Sequence, residues 1–315
     1  MKIKELAKNM FLPESEHVRR LGLLGKNLSE KTLNQKRQLL GKIVETFGEE
    51  ELESVFIKDV VQHLLGKKEE RSSSWKNRYL EVFKNLYDEY NWRMEKSLPL
   101  PAFPRFSNNP RQADVFSSEE LKRLFDKKIW RNEDEFLLYY LTVSCGLRLG
   151  EARGLKANQF LFDRHILLVD GFMRYDGTRT LFNKSGSLRE KKQRVVFLPS
   201  DAEDEAKSYL KKKNLSGDDF LFVIKGKPVS QEFCERVFRR MLKSARIETK
   251  GRKLTPHSLR YTYVTKMRRY VGVEVVRLLA GHTADSMTDY YTKPMLDDMI
   301  QQIAASRESA EKLFD

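Results

Sequence analysis

The stretch LTPHSLRYTYVTK, residues 254–266, predicts a helix that begins with a cationic pair. Thr255 and Pro256 have the residue types preferred at a helix N-cap and at the first helical position. His257 and Arg260 are three positions apart and therefore share one face of that helix. A helix N-terminus offers free N–H groups and partial positive charge, so this pair favours a bound phosphate. Alone it is weak evidence, because His-x-x-Arg occurs in many helices by chance.

A second stretch, LLAGHTADSMTDYYTKP at residues 278–294, follows the helix predicted for VEVVRLLA. Gly281 suits the position just past a helix C-terminus, so His282 should emerge directly after the helix end. Tyr290 and Tyr291 follow on a predicted short helix. A pair of tyrosines is more often a packing or surface feature than a chemical one.

The third stretch, SCGLRLGEARGL at residues 144–155, predicts the end of a buried helix, a glycine turn and another helix. Arg148 stands immediately after the turn, and Glu151 follows three residues later. A carboxylate at that spacing can orient the guanidinium through hydrogen bonds. Each stretch has an ordinary structural explanation, and only their combination indicates a shared site.

The composition fits a folded protein with an anionic partner. The 315 residues have a net charge of +14 and are 40% hydrophobic, which suits about two domains with real cores. Nucleic acid is the commonest partner of such a basic protein, and acidic lipid is the rival. No apolar run approaches the ~18 residues that a membrane span needs, and the start, MKIKELAKNMFLPESE, lacks a signal peptide's apolar core. We expect a cytoplasmic location and no membrane partner.

The cysteines give no sign of a metal site. Cys145 and Cys234 lie in apolar, helical contexts, outside any CxxC pair or His/Cys cluster. The sequence also shows no acidic metal cluster and no P-loop. We expect neither a metal nor another cofactor.

Four prolines and a polar run in SLPLPAFPRFSNNPRQADVFSSEEL, residues 97–121, indicate a linker. We predict a helical first domain at 1–100, the linker at 101–113 and a second domain at 114–315. In the second domain the β-rich segments HILLVDGFMRY, GTRTLFNKS and QRVVFLP interrupt helical patterns. The predicted fold class is therefore α+β, mainly helical with a small antiparallel sheet in the C-terminal domain.

The first domain carries candidate DNA contacts beside its helices. Ser29 should cap one helix that Gly48 ends, and Ser74 should cap a long one. Basic residues on the exposed side of the first of these helices and around the turn before the long one either bind phosphate or form a solvated surface. The candidates are Lys36, Lys67, Lys68, Arg71, Lys76 and Arg78.

Together the three stretches resemble the tyrosine recombinases, the family of phage-type integrases and Xer-type recombinases, and the resemblance covers nearly the whole chain. GLRLGE is similar to the family's first arginine box, HSLRYT to its His-x-x-Arg box, and AGHTADSMTDYYT to its Gly-His box with the nucleophile. The family's tyrosine stands nine residues after the box histidine, and Tyr291 is nine residues after His282. The resemblance implies a helical core-binding domain followed by a catalytic domain with a C-terminal tail helix.

The sequence departs from the family pattern in places. Gly150 stands where serine is common, Phe197 replaces the first proline of the RxVPLP strand, and TKP follows the tyrosine where a histidine is common two positions on. The family's catalytic lysine lies in a β-hairpin before that strand, and Lys184 in FNKSGS is the preferred match. The alternatives are Arg189, Lys191 and Lys192.

The resemblance implies cleavage of a phosphodiester by Tyr291, giving a 3'-phosphotyrosyl link that a 5'-hydroxyl can reseal without metal or ATP. A phenol has a pKa of ~10, so it needs a base or cationic neighbours, and His257 is the candidate general base. Lys184 would protonate the leaving 5'-oxygen as general acid.

The remaining predicted site residues bind charge on the phosphate. Arg148 and Arg260 each have a planar, permanently charged guanidinium, which suits bidentate binding of phosphate oxygens. His282 would add a donor to the same phosphate, and Glu151 would orient Arg148.

The resemblance implies a site-specific DNA recombinase that acts as a tetramer on two double-stranded DNA sites, at the nucleoid of a prokaryotic cell. The segment MLDDMIQQIAASRESAEKLFD, residues 295–315, predicts an amphipathic tail helix that packs on its own domain or, by slight preference, docks on a neighbouring protomer. The alternatives are a type IB topoisomerase and a non-catalytic DNA-binding regulator. The target sequence, any accessory proteins and the biological task (integration, excision, inversion or dimer resolution) stay open.

Overall fold

The computed structural model describes residues 1–66, 71–94, 98–107, 114–181, 193–281 and 311, apart from the side chains of Glu274, Arg277 and Leu278. The chain forms two compact units, Met1–Arg111 and Gln112–Asp315. Each unit has a hydrophobic core of its own. Every helix in this described part is too short or too polar to cross a lipid bilayer.

The first unit is helical and is built around its two longest helices. Ser29 caps the helix Glu30–Phe47 as predicted, because its Oγ accepts the N–H of Thr32 at 3.2 Å. The predicted cap at Ser74 is wrong, since the last helix of the unit already includes Ser73 and the Oγ of Ser72 accepts the N–H of Trp75 at 3.3 Å. The described helices are α1 Ile3–Ala7, α2 Glu16–Leu23, α3 Glu30–Phe47, α4 Ile57–Gly66 and α5 Ser73–Met94.

The segment predicted as a linker begins with residues that belong to the first unit. Residues 98–107 form no helix or strand. The Asn77 side chain nevertheless donates to the backbone oxygen of Phe106 at 2.9 Å and accepts its N–H at 2.8 Å. Phe103 and Phe106 pack against the first core. Residues 108–113 lie outside the described part of the chain.

The second unit is mainly helical, and one of its helices is buried on nearly every side. This helix, Glu133–Ser144, is almost wholly apolar after its first turn, as expected of a central core helix. Ser117 and Glu120 form the predicted capping box at the start of the unit. The helices are α6 Ser118–Leu124, α7 Glu133–Ser144, α8 Leu149–Arg153, α9 Ser200–Lys213, α10 Gln231–Ser244, α11 Pro256–Met267 and α12 Val273–Ala280.

Short antiparallel strands lie between these helices. They are β1 Phe160–Leu161, β2 Ile166–Val169, β3 Gly171–Met173, β4 Arg179–Leu181, β5 Arg194–Phe197, β6 Val223–Ile224 and β7 Lys227–Pro228. The described strands form one three-stranded sheet in the order β1-β2-β5, where Leu168 pairs with Val195, and two hairpins, β3-β4 and β6-β7. The predicted α+β class is confirmed, with several small sheets in place of one.

Candidate catalytic site

Arg148 lies at the N-cap of α8, directly after a tight turn from α7. The turn needs glycine, because Gly146 has a φ of +59° and a Cβ there would lie 2.3 Å from the ring of Tyr263. The backbone N–H of Arg148 donates to Glu151 Oε2 at 2.8 Å, and its Nη1 donates to Oε1 at 2.7 Å. Glu151 therefore holds the arginine by both backbone and side chain.

The helix predicted from residues 254–266 is α11, which begins at Pro256 after the N-cap Thr255. His257 lies half-buried in its first turn, where its ring packs nearly perpendicular to that of Tyr261 with centroids 4.5 Å apart. Arg260 follows one turn later and is 2% exposed. Its Nη1 donates to the carbonyl oxygen of Gly146 at 2.5 Å, which ties α11 to the turn before Arg148.

Three arginines meet at the C-terminal end of α12. A helix end leaves its last carbonyls without helical partners and carries partial negative charge, so it attracts cations. Here three consecutive carbonyl oxygens each accept from a different guanidinium. The pairs are Arg194 Nε with Leu279 at 2.9 Å, Arg260 Nη2 with Ala280, and Arg148 Nη2 with Gly281 at 3.3 Å. The two predicted arginines thus lie in one cluster.

Arg194 is the member of this arginine cluster (Arg148, Arg194 and Arg260) that the sequence did not reveal as a site residue. It opens strand β5, is 3% exposed, and donates from Nη2 to Glu151 Oε2 at 2.9 Å. The available signal was a lone charge at the start of the apolar run VVFL in the stretch RVVFLP. A charged residue so placed is buried only when it is paired.

The arginine cluster holds three guanidiniums around one carboxylate. Burial tends to raise the pKa of Glu151, but the guanidiniums of Arg194 and Arg148 outweigh it and hold that pKa below its usual range. Burial, together with the charges of Arg148 and Arg194, lowers the pKa of Arg260 to about 9, so its guanidinium stays protonated at neutral pH. The excess positive charge is held away from water, which favours an anionic ligand that neutralises it.

The other predicted site residues lie outside the described part of the chain. These are Lys184, its alternatives Arg189, Lys191 and Lys192, and the residues His282 and Tyr291. Gly281, the residue before His282, is described and has a φ of +58°. The roles assigned from the sequence to these side chains, and to Arg148, His257 and Arg260, stay predictions.

The candidate DNA-binding residues of the first unit differ in the contacts that their side chains already make within the protein. Lys36 donates from Nζ to Glu81 Oε1 at 2.7 Å, so part of its charge is already paired. Lys76 places Nζ 5.3 Å from the ring centroid of Phe106. Arg71 is exposed and its Cζ lies 5.4 Å from the ring centroid of Trp75. Arg78 is exposed, and Lys67 and Lys68 lie outside the described residues.

Substituting Gly281 with alanine should destabilise the protein through the arginine cluster. The left-handed backbone costs about 1 kcal/mol for a residue with a Cβ. The new Cβ would also lie 2.6 Å from Arg194 Cδ, and displacing a packed side chain adds roughly 1–3 kcal/mol. Urea unfolding measures the sum. Gly226→Ala is the matched control, because Gly226 has a φ of +74° with open space around it; equal losses in both variants would contradict the clash.

The chain is thus a basic α+β protein whose second unit gathers three arginines around one carboxylate. The family model described as the phage integrase family matches residues 115–296, and the chain belongs to that family. Tyrosine recombinase XerA of Pyrococcus furiosus is 27% identical over 178 residues, 56% of each chain. Tyrosine recombinase XerC of Caldanaerobacter subterraneus subsp. tengcongensis is 26% identical over 253 residues, 76% of this chain and 65% of the relative. Both matches thus cover less than two thirds of the relative's length.

Solved structures share the fold over nearly the whole chain. The Tn1549 transposon integrase in complex with transposon right end DNA has a TM-score of 0.69 at 16% identity, covering 96% of this chain and 99% of that one. A lambda integrase dimer bound to a COC' core site has a TM-score of 0.65 at 17% identity, covering 91% and 97%. At such identities the likeness establishes the fold alone.

Proposed function

We propose that this protein is a site-specific DNA recombinase that cuts and rejoins strands through a 3'-phosphotyrosyl intermediate. The observation that carries the proposal is the meeting of Arg148 and Arg260 at the end of α12, one residue before His282. The relatives named as tyrosine recombinases and the DNA-bound integrases of the same fold support it.

The arginine cluster would bind the scissile phosphate. Arg148 keeps 28% of its side chain exposed, which lets a phosphate oxygen reach its guanidinium. Arg260 lies deeper and is fixed by two carbonyl oxygens, so it presents its remaining hydrogens in a set direction. Cations fixed in advance stabilise charge as it grows on the non-bridging oxygens, without reorganising during the reaction.

The covalent step would then exchange one phosphoester for another. The Tyr291 Oη forms a bond to phosphorus while the bond from phosphorus to the 5'-oxygen breaks. His257 takes the phenol proton, Lys184 supplies a proton to the departing 5'-oxygen, and His282 donates to the phosphate. Attack by a 5'-hydroxyl of another strand reverses these transfers and restores the phosphodiester.

Helix α10 supplies a basic face for the DNA backbone. Its buried side carries Cys234, Val237 and Met241, and its opposite side exposes Arg236 and Arg239 to solvent. Lys243 continues the exposed row one turn later. Cations aligned at this spacing on a helix can contact successive phosphates.

Replacing Arg236, Arg239 and Lys243 together with alanine should weaken DNA binding and its salt dependence. Each lost phosphate contact lowers the slope of log K against log salt by about 0.9. Three contacts therefore predict a change of roughly 2–3 in a fluorescence anisotropy titration at several salt concentrations.

The matched control replaces three exposed lysines at the end of α9, Lys211, Lys212 and Lys213. Lys212 and Lys213 already pair with Glu133 and Asp134 on α7. We expect this control to leave the slope unchanged. An equal drop in both triple variants would show that net charge, and not the α10 face, governs binding.

Self-association into a tetramer on two DNA sites belongs to the proposal. The described tail residue Glu311 contacts its own chain, where its carboxylate accepts from the N–H of Ser200 at 3.0 Å and from its Oγ at 2.8 Å. These groups lie at the N-terminus of α9, which favours a carboxylate. For the tetramer we propose that this residue instead binds the N-terminus of α9 in a neighbouring protomer.

Capture of covalent adducts on genomic DNA tests the function. The protein is incubated in EDTA with DNA of the source organism, and adduct positions are mapped by sequencing. Two duplexes bearing the mapped site are then mixed with the protein. Joined recombinant strands support the proposal, whereas relaxation of supercoils without joining would support a topoisomerase.

A further inference from the structure

We propose that Arg194 is a positioning residue that fixes Glu151 and the end of α12 relative to each other, and so sets the position of Arg148. The inference rests on the proposed function, because the effect of Arg194 is on the cleavage reaction. Arg194 is 3% exposed, so we propose that it acts through its neighbours and not by touching DNA.

The guanidinium of Arg194 bonds two parts of the site, the end of α12 and the Glu151 carboxylate on α8. Its Nε donates to the carbonyl oxygen of Leu279, and its Nη2 donates to Glu151 Oε2. Arg148 repeats this pattern, since it donates to Glu151 Oε1 and to the carbonyl oxygen of Gly281. Arg148 and Arg194 therefore bridge the same carboxylate to the same helix end from two sides.

The Arg194 side chain is tightly packed as well as hydrogen-bonded. Gly281 lies against its Cδ so tightly that no Cβ fits between them. Nη2 also lies 3.5 Å from the carbonyl oxygen of Gly146, the oxygen that accepts from Arg260. A planar fork reaches all of these acceptors from fixed directions, whereas a lysine ammonium offers a single point charge.

A second buried arginine shows that burial alone does not produce this arrangement. Arg153, on α8 itself, is 1% exposed and donates to the carbonyl oxygens of Val229 at 2.7 Å and Arg174 at 3.4 Å. Neither acceptor belongs to the arginine cluster. Arg153 is thus a matched control: a buried arginine of the same domain with a purely structural set of contacts.

The test compares two substrates that differ in one oxygen. One is a suicide DNA substrate with an ordinary scissile phosphate, and the other carries a neutral methylphosphonate there. The neutral group needs less cationic stabilisation, so a defect in placing Arg148 affects it less. Single-turnover adduct formation is measured at saturating protein for wild type, Arg148→Ala, Arg194→Met, Arg194→Lys and Arg153→Met.

We expect Arg194→Met to slow adduct formation on the phosphate by about 10²-fold, the effect of a misplacement of roughly 1 Å. On the methylphosphonate the slowing should be at least tenfold smaller, the pattern that Arg148→Ala also shows. Arg194→Lys should fall between wild type and Arg194→Met in the same direction, and it replaces the methionine variant if that one does not fold. Arg153→Met should slow both substrates by one common factor.

Other outcomes overturn the inference. Equal slowing of Arg194 variants on both substrates would make Arg194 structural, like Arg153, and unchanged rates would remove its role altogether. Absence of any adduct when the wild-type protein is incubated with genomic DNA is a different failure, because it overturns the proposed function and, with it, the reaction that Arg194 would serve.

Discussion

Tyr291→Phe should abolish the covalent protein–DNA adduct while DNA binding persists. Phenylalanine keeps the ring but lacks the Oη that would bond to phosphorus. Loss of a nucleophile reduces turnover by at least about 10⁴-fold, so no adduct should be visible on nicked or suicide substrates in EDTA. The adduct is measured as a labelled strand that stays with the protein on a denaturing gel.

The neighbouring tyrosine is the control for this prediction. Tyr290→Phe removes the same atom one residue earlier, and we expect it to retain the adduct. Since the family register alone selects Tyr291 over Tyr290, the pair of variants tests that register directly. An adduct from Tyr291→Phe equal to that of wild type would move the nucleophile to Tyr290 or elsewhere.

Arg260→Lys should slow adduct formation by about 10³-fold, the upper range for removing one pre-placed donor from a reacting oxyanion. Arg260 reaches the carbonyl oxygens of Gly146 and Ala280 from two separate nitrogens, whereas a lysine would have to reach both oxygens and the phosphate from one. The site also disfavours its charge, because burial and the charges of Arg148 and Arg194 already lower the pKa of Arg260 to about 9. The same environment would lower a lysine pKa from ~10.4 towards neutrality.

The lowered pKa gives the Arg260→Lys variant its own pH dependence. A lysine with a lowered pKa gains its proton as the pH falls, so more of the variant carries the charge that the phosphate needs. The rate of Arg260→Lys relative to wild type should therefore rise from about pH 8 to about pH 6. Taking the ratio removes the pH dependence of the remaining groups, and a ratio that stays flat would mean that only the geometry of the fork matters.

Local sequence signals predicted the parts of the site that local structure builds. Thr255 and Pro256 start α11 as expected, and Gly281 follows the end of α12 with positive φ. The spacing of Arg148 and Glu151 is enough for their hydrogen bonds, because both lie within one helical turn. Each of these features depends on residues that are neighbours in the chain.

The long-range part of the site was not predictable in the same way. Arg194 reaches Glu151 across 43 positions and Leu279 across 85, and no local pattern encodes such partners. The predicted cap Ser74 was wrong because SSS offers three similar hydroxyls, and it is the Oγ of Ser72 that accepts the N–H of Trp75 at the start of α5. The register of the predicted catalytic lysine rests on the family resemblance alone, because all its candidates lie outside the described residues.

The two sides of α10 have a practical consequence for engineering. The helix is anchored through Tyr139, whose hydroxyl donates to the carbonyl oxygen of Cys234 at 2.6 Å, and through the ion pair of Arg240 with Glu135. Among the described contacts, neither anchor touches Arg148, Arg194 or Arg260. Substitutions on the exposed side of α10 should therefore change the proposed grip on the DNA backbone without disturbing the arginine cluster, so the two properties can be tuned separately.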